Sequence, residues 1–314
     1  MTLSPARVGI DISKHGLDIH NATTRQTWRT ANTADEIERL LKTLPPACVL
    51  VFEATAPYDR VLRLHASTSA MTVLRVNPTR ARAYAFAAGS LAKTDAVDAR
   101  VLAQLPATVA NGPEPAFDAE REALASLHRR RDQMVETRAV ERGRSRDVSD
   151  AAERGSLQRH ITWLDGEIKA LDGELQGMIA KPAFAKTAGL LRSVRGVGAV
   201  TAATVLALLP ELGQRSAKSI AALVGLAPIN RDSGMYRGQM HIGGGRKRVR
   251  QALYMAALSA IRAVPRLKLH YEAIKARSGH AKVAIIAIAR KLLVILNTIV
   301  KTGEPFRPDD PLTI

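Results

Sequence analysis

The stretch CVLVFEA, residues 48–54, limits the fold more than any other part of the chain. It shows no polar/apolar alternation, and a short apolar run of this kind fits a strand covered on both faces, as in layered α/β domains. Its surroundings agree. Three strand-like runs, RVGIDIS, GLDIHNA and QTWRTA, occupy residues 6–31 and are separated by Lys-His-Gly and a Thr-Thr-Arg turn, which predicts an antiparallel meander. Ala34 to Leu44 places Ile37, Leu40, Leu41 and Leu44 on one helical face, and Pro45-Pro46 stops the helix. A second helix, about Tyr58 to Ser67, leads to MTVLRVNP, another buried strand ended by Asn77-Pro78. Helical composition resumes from Arg80 and carries through KTDAVDARVLAQL to Pro106.

Hairpin strands followed by alternating helices and strands predict a ribonuclease-H-like α/β domain. That plan gives four acids a geometry. Asp95 and Asp98 lie three residues apart in KTDAVDAR, residues 93–100, so a helix turns them to one side. Two readings fit: Thr94 caps a helix whose first turn welcomes acids, or the two carboxylates share a cation. Asp11 alternates with Ile10 and Ile12 on the first strand, and Glu53 ends the fourth. Each has an ordinary explanation, as a strand-end turn residue or the polar end of a strand. If the strands are neighbours, all four acids converge, and two Mg²⁺ ions roughly 4 Å apart would hold them together for phosphoryl transfer.

The net charge of +17 points to a polyanionic partner, nucleic acid before membrane. Aromatic residues are only 4%, so phosphate contacts should outweigh base stacking. A single cysteine, Cys48, excludes an internal disulfide or a cysteine zinc cluster and fits a reducing cytoplasm. The N-terminal MTLSPARVGIDIS has no apolar core of signal-peptide length. Ala281 to Val300 is long and apolar, but Lys282, Arg290, Lys291 and Asn297 interrupt it, which predicts a buried amphipathic helix and no membrane.

Residues 111–115 form a Gly/Pro-rich joint, and residues 118–150 are charged and helical, with His128, Arg129, Arg130 and Arg131 clustered. After a break near Gly155, Ile161, Leu164, Ile168, Leu171, Leu175 and Met178 keep three-four spacing, the mark of a short coiled-coil seam. The arginines either grip nucleic acid or form a solvated face. Further on, RGVGAVTA at 195–202 fits the hairpin of a helix-hairpin-helix-like element, with Gly196 and Gly198 near a phosphate, or a plain helix turn. Between Arg192 and Arg277 the only acids are Glu211, Asp232 and Glu272. A polar loop, Asn230 to Gly238, precedes glycines 243–245 and a helix opened by Arg246, Lys247, Arg248 and Arg250, a ready anion site. Ser233 in that loop reads, by itself, as an ordinary turn serine.

In combination these segments resemble the DEDD transposases of insertion-sequence family 110, relatives of the Piv DNA invertase. The resemblance rests on GIDISK at 9–14, FEAT at 52–55, VNP at 76–78, KTDAVDAR, GVG at 196–198, GLAP at 225–228, Ser233-Gly234, IGGGRKRVRQALYMAAL and RKLL at 290–293, in that order over nearly the whole chain. It implies a RuvC-like nuclease domain (1–112), a coiled-coil helical linker (113–184) and a mostly α-helical C-terminal transposase domain (185–314). It implies that Asp11, Glu53, Asp95 and Asp98 bind Mg²⁺, with Mn²⁺ able to substitute, and that Ser233 is a nucleophile forming a covalent phosphoserine link to DNA. It further implies a dimer or tetramer acting on element ends and target DNA in the bacterial cytoplasm near the nucleoid. An element-encoded guide RNA would read sequence, while Lys14, Arg129, Arg130, Arg131, Gly196, Gly198, Arg237, Arg246, Lys247, Arg248 and Arg250 contact nucleic acid. Many relatives carry a longer Ser-Lys-containing spacer before the glycines; the compact IGGGRKR places this chain in a variant branch. Tyr236 and Tyr254 lack the histidine and arginine pattern of tyrosine recombinases. Two alternatives stand beside this reading: a junction-selective nuclease that uses the acids with water, and a basic architectural protein whose acids are structural.

Overall fold

A five-stranded mixed sheet organises the first part of the molecule. The structure is a computed structural model that describes residues 5–55, 57–69, 71–90, 94–106, 108–110, 113–114, 116–230, 238 and 240–307. It divides into two units, Met1–Phe117 and Asp118–Ile314. In the first, β1 (Arg7–Ile12), β2 (Gly16–Asn21) and β3 (Thr27–Ala31) form the antiparallel meander expected from the sequence. After α1 (Ala34–Thr43), β4 (Val49–Glu53) joins β1 in parallel; after α2 (Arg60–Ser67), β5 (Thr72–Val76) joins β4. The strand order is β3-β2-β1-β4-β5.

The pleat sorts side chains onto two faces. Val8, Ile10, Ile12, Leu50 and Phe52 bury one face with Ile37 and Leu40 of α1 and Leu62 of α2. Val49, Val51, Leu74 and Val76 bury the other, together with Ala81 and Leu102 from two further helices, α3 (Pro78–Ala87) and α4 (Asp95–Gln104). The single helical run expected from Arg80 to Pro106 is therefore two helices. Gly89 takes the left-handed φ of +77°, and Thr94 is extended (φ −139°, ψ 150°) and caps α4, so the backbone leaves the helix between them.

The second unit is helical. Helices α5 (Ala119–Asp147) and α6 (Ala151–Ile179) form an antiparallel pair stapled by Arg131–Asp172 and Arg138–Asp165, with Met134, Leu164 and Ile168 between them. The break lies at residues 148–150 rather than at Gly155, which is inside α6. Asp150 caps α6 by accepting from the Glu153 amide, and one half-buried glycine costs such a long helix only about 1 kcal/mol. The remaining helices are α7 (Pro182–Arg192), α8 (Ala199–Leu208), α9 (Ala217–Val224), α10 (Lys247–Ala263), α11 (Pro265–Ser278) and α12 (Ala281–Thr302). Leu124 and Leu175 from the base of the α5/α6 pair share one core with Leu253 and Leu292.

Among the described residues α12 alone is long and apolar enough to cross a membrane, and 56% of its apolar window is buried against the protein. Its buried Asn297 is spent internally: the side chain accepts from the Gly213 amide (2.9 Å) and donates to the Arg215 carbonyl (2.9 Å).

Candidate active site

The register of the sheet decides where the acids go. Gly9 pairs with Val51 and Ile10 with Phe52; continued by one residue, the same register aligns Asp11 with Glu53 at the end of the neighbouring strand. By the period of two, Asp11 shares the face of Gly9, and Glu53 that of Val51. Both therefore lie on the side covered by α4. Gly9 makes the close approach of that helix possible: a Cβ there would overlap the backbone of Ala99 and Ala103. Arg7 fixes the far end of α4 by donating to the carbonyls of Ala103 (3.2 Å) and Leu105. Asp95 and Asp98 then lie in the first turn of α4, about one turn before the point of contact with Gly9.

Thr94 does cap α4, its side chain accepting from the Val97 amide (3.4 Å). The two readings of Asp95 and Asp98 are thus compatible, because the turn that stabilises the acids is also the turn that faces Asp11. Asp11 records the result. Its carboxyl is pushed up from 3.8 to about 6, first by burial and then by the charges of Asp95 and Asp98, with Asp18 adding slightly and a hydrogen bond from the backbone at Ile12 opposing. Among the described residues no three His, Cys, Asp or Glu side chains close into a ready-made metal cage. Asp95 and Asp98 raise the pKa of Asp11 by their charge, and an all-oxygen donor set of this kind suits a hard divalent cation.

The basic residues behave differently. Lys14 is exposed in the β1–β2 turn. On α5, Arg131 is held by Asp172 (2.5 Å), Arg129 by Glu122 (3.5 Å) and Arg130 by Gln133 (3.4 Å). Arg248 pairs with Asp132 (3.3 Å) and Glu136, Arg246 with Glu211, and Arg250 donates to the carbonyls of Val224 and Gly244. Of that basic run Lys247 is exposed and has no partner among the described residues. Gly196 (φ +102°) is required by packing, since a Cβ would strike the backbone of Ala260; Gly198 is open and caps α8 without a side-chain hydrogen bond. Ser233, Tyr236 and Arg237 lie outside the described residues. Sequence reasoning missed Arg7 and gave Glu211 no role, although Glu211 was visible as one of three acids in a basic stretch.

Met240 and Ile242 join Val283, Ile286 and Val294 of α12 in lining an apolar groove of about 890 Å³, with Lys282, Arg290 and Lys291 among its basic lining residues. Deeper in this unit, buried His128 on α5 contacts Thr204 Oγ1 of α8 through Nε2 (2.7 Å). Burial holds its pKa below the usual histidine value, with Asp132 opposing.

An α/β unit with carboxylates gathered on one sheet face, followed in sequence by a helical and strongly basic unit, is the layout of a nucleic-acid-processing protein. Comparison with known families narrows it. Residues 8–150 match the DEDD transposase model of the IS110 group, and residues 188–272 match the model described as "Transposase IS116/IS110/IS902 family". The chain belongs to the IS110 family of DEDD transposases. Similar proteins include the IS110 insertion-element 43.6 kDa protein of Streptomyces coelicolor, 25% identical over 47% of this chain and 36% of that protein. The IS116 insertion-element 44.8 kDa protein of Streptomyces clavuligerus is 26% identical over 57% of this chain and 46% of its own length. These matches therefore span less than half of each insertion-element relative. A probable family 20 transposase of Pseudomonas aeruginosa is 25% identical over 96% of this chain and 99% of its own. Transposases of the DEDD family generally use divalent metal ions.

Proposed function

We propose that this protein cuts and rejoins DNA as a transposase, with a RuvC-like, ribonuclease-H-like first domain whose Asp11, Glu53, Asp95 and Asp98 hold divalent cations, Mg²⁺ first among them. The observation that carries the reading is the placement of Asp11 and Glu53 on adjacent strands beneath the first turn of α4, with Asp11 raised to about 6. Bound there, the cations would supply stabilisation for an attacking and a leaving oxygen. The protein's own contribution is position: Gly9 lets α4 come down, Arg7 anchors it, and Thr94 orients the turn bearing Asp95 and Asp98.

Ser233 is the proposed nucleophile. Its Oγ would form a bond to phosphorus as the bond to a sugar oxygen breaks, and reversal of that step at a new end rejoins DNA without an outside energy source. The organisation into 1–112, 113–184 and 185–314, a dimeric or tetrameric assembly, an element-encoded guide RNA and a cytoplasmic location belong to the same reading. Its support is the order of family segments along the chain together with the charge of +17.

Two substitutions test it. With element DNA, co-expressed RNA and Mg²⁺, the protein should form a protease-sensitive covalent adduct that Ser233→Ala abolishes. Asp11→Ala should lose Mg²⁺-dependent strand cleavage while still binding DNA. Cutting that survives in Ser233→Ala would assign the attack to water instead. Intact activity in Asp11→Ala would leave the acids a structural role only.

A further inference from the structure

The basic run that opens α10 is built inward. The Arg246 guanidinium grips Glu211 with two hydrogen bonds, Nη1 to Oε2 at 2.5 Å and Nη2 to Oε1 at 2.6 Å, and Glu211 is only 8% exposed. The Arg246 amide also donates to the Leu223 carbonyl (3.1 Å). One turn on, Arg250 Nη1 donates to Val224 O (3.0 Å) and Gly244 O (2.6 Å). Gly244 and Gly245 are left-handed (φ +63° and +60°), as is Gly225 (φ +78°) at the end of α9. Gly225 and Gly245 meet backbone to backbone, so a Cβ on either would overlap the other's strand of chain. Just beyond this junction Ile229 and His241 close a two-bond bridge, Ile229 N to His241 O at 2.8 Å and His241 N to Ile229 O at 3.2 Å. The segment enclosed by the bridge is the one that carries Ser233.

A bidentate arginine–carboxylate pair with one partner buried is a fixed strut. Arg246 turns both Nη nitrogens to Glu211, whose carboxylate neutralises it, and Arg250 turns Nη1 to two backbone carbonyls of the same junction. We infer that Glu211, Arg246 and Arg250 are positioning residues that lock the base of the segment from Ile229 to His241, and that Arg246, neutralised by Glu211, makes no contact with a DNA phosphate. Lys247, exposed between them, is left for that work. The part concerning Ser233 rests on the transposase reading above; the clamp itself does not.

The clamp is read first without activity, by hydrogen exchange on the full-length protein. Glu211→Gln and Arg246→Lys each lose the bidentate pair with little change in volume, and should speed exchange at the Ile229 and His241 amides about tenfold or more while α5 and α12 keep their protection. The charge-swapped double variant Glu211→Arg with Arg246→Glu should recover part of that protection, which separates a lost strut from a misfolded chain. Unchanged protection at these amides in both single variants would overturn the clamp.

Binding of a fluorescein-labelled DNA duplex across a salt series gives the second reading. Lys247→Ala should lower the slope of log K against log salt by about 1, whereas Arg246→Lys and Arg246→Ala leave it unchanged. A slope that falls by about 1 in Arg246→Ala, with tighter binding in Glu211→Gln, would show the arginine on a phosphate and overturn the assignment. Covalent adduct yield then joins the two: Glu211→Gln and Arg246→Lys should each reduce it about tenfold, and the double variant should be no worse than either. An adduct absent from the wild type, with the exchange and salt results as expected, would sink the Ser233 reading and leave the clamp standing.

Discussion

Asp11 is the residue at which charge and fold oppose each other. Its folded-state pKa lies above its unfolded value, so the folded protein holds the proton more tightly; the associated stability is fully present below about pH 3.8 and is lost as pH rises through about 6. At neutral pH the ionised carboxylate weighs against folding. The full shift would correspond to about 3 kcal/mol, and partial exposure of the group reduces this to about 1 kcal/mol. Asp11→Asn should therefore raise the melting temperature at pH 7.5 in EDTA and have no such effect at pH 4. Addition of Mg²⁺ should stabilise the wild type and leave Asp11→Asn unmoved; equal stabilisation of both proteins would argue against Asp11 as a ligand. The acids were legible from the sequence because charged residues inside apolar runs stand out. Glu211 and Arg246 were not, since nothing local reveals that residues 35 positions apart will neutralise each other.

At the scale of elements, the placement of α4 on β1 makes the site, and Gly9 is its narrowest requirement. Gly9→Ala forces a methyl group into helix backbone, which has no rotamer to escape by, so the cost should be about 3 kcal/mol. The variant should lose Mg²⁺-dependent cleavage although no acid has been touched, and circular dichroism melts would measure the destabilisation. Full cleavage in Gly9→Ala would mean that α4 need not lie where it does. Strands and single-face helices were readable because periods of 2 and 3.6 survive in sequence. The interruption between α3 and α4 was not, because the whole stretch from Arg80 is rich in helix formers; Gly89 and the Thr94 cap override that local preference. The turn between α5 and α6 was misplaced for the reverse reason, since Gly155 looks like a breaker and Asp150, the last residue of the true turn at 148–150, looks like another surface acid.

The whole molecule carries far more positive charge than its fold consumes, yet the conspicuous arginines are among those consumed. Arg131 and Arg138 hold α5 to α6, so Arg131→Ala should lower the melting temperature and leave the salt dependence of DNA binding unchanged within error. A salt slope reduced by about 1 in that variant would instead put Arg131 on the nucleic acid. Charge counting thus predicts the kind of partner, whereas the positions that meet it are those with no carboxylate across from them, a property of tertiary structure alone.

The register that sets Asp11 beside Glu53, and the helix that brings Asp95 and Asp98 over them, also bears on biosynthesis. The first acid leaves the ribosome long before the last, and β1 acquires its parallel neighbour and its covering helix only when most of the first unit has been made. A nascent or proteolysed fragment lacking α4 holds only Asp11 and Glu53 of the four carboxylates. The four carboxylates would therefore come together only with completion of the first unit.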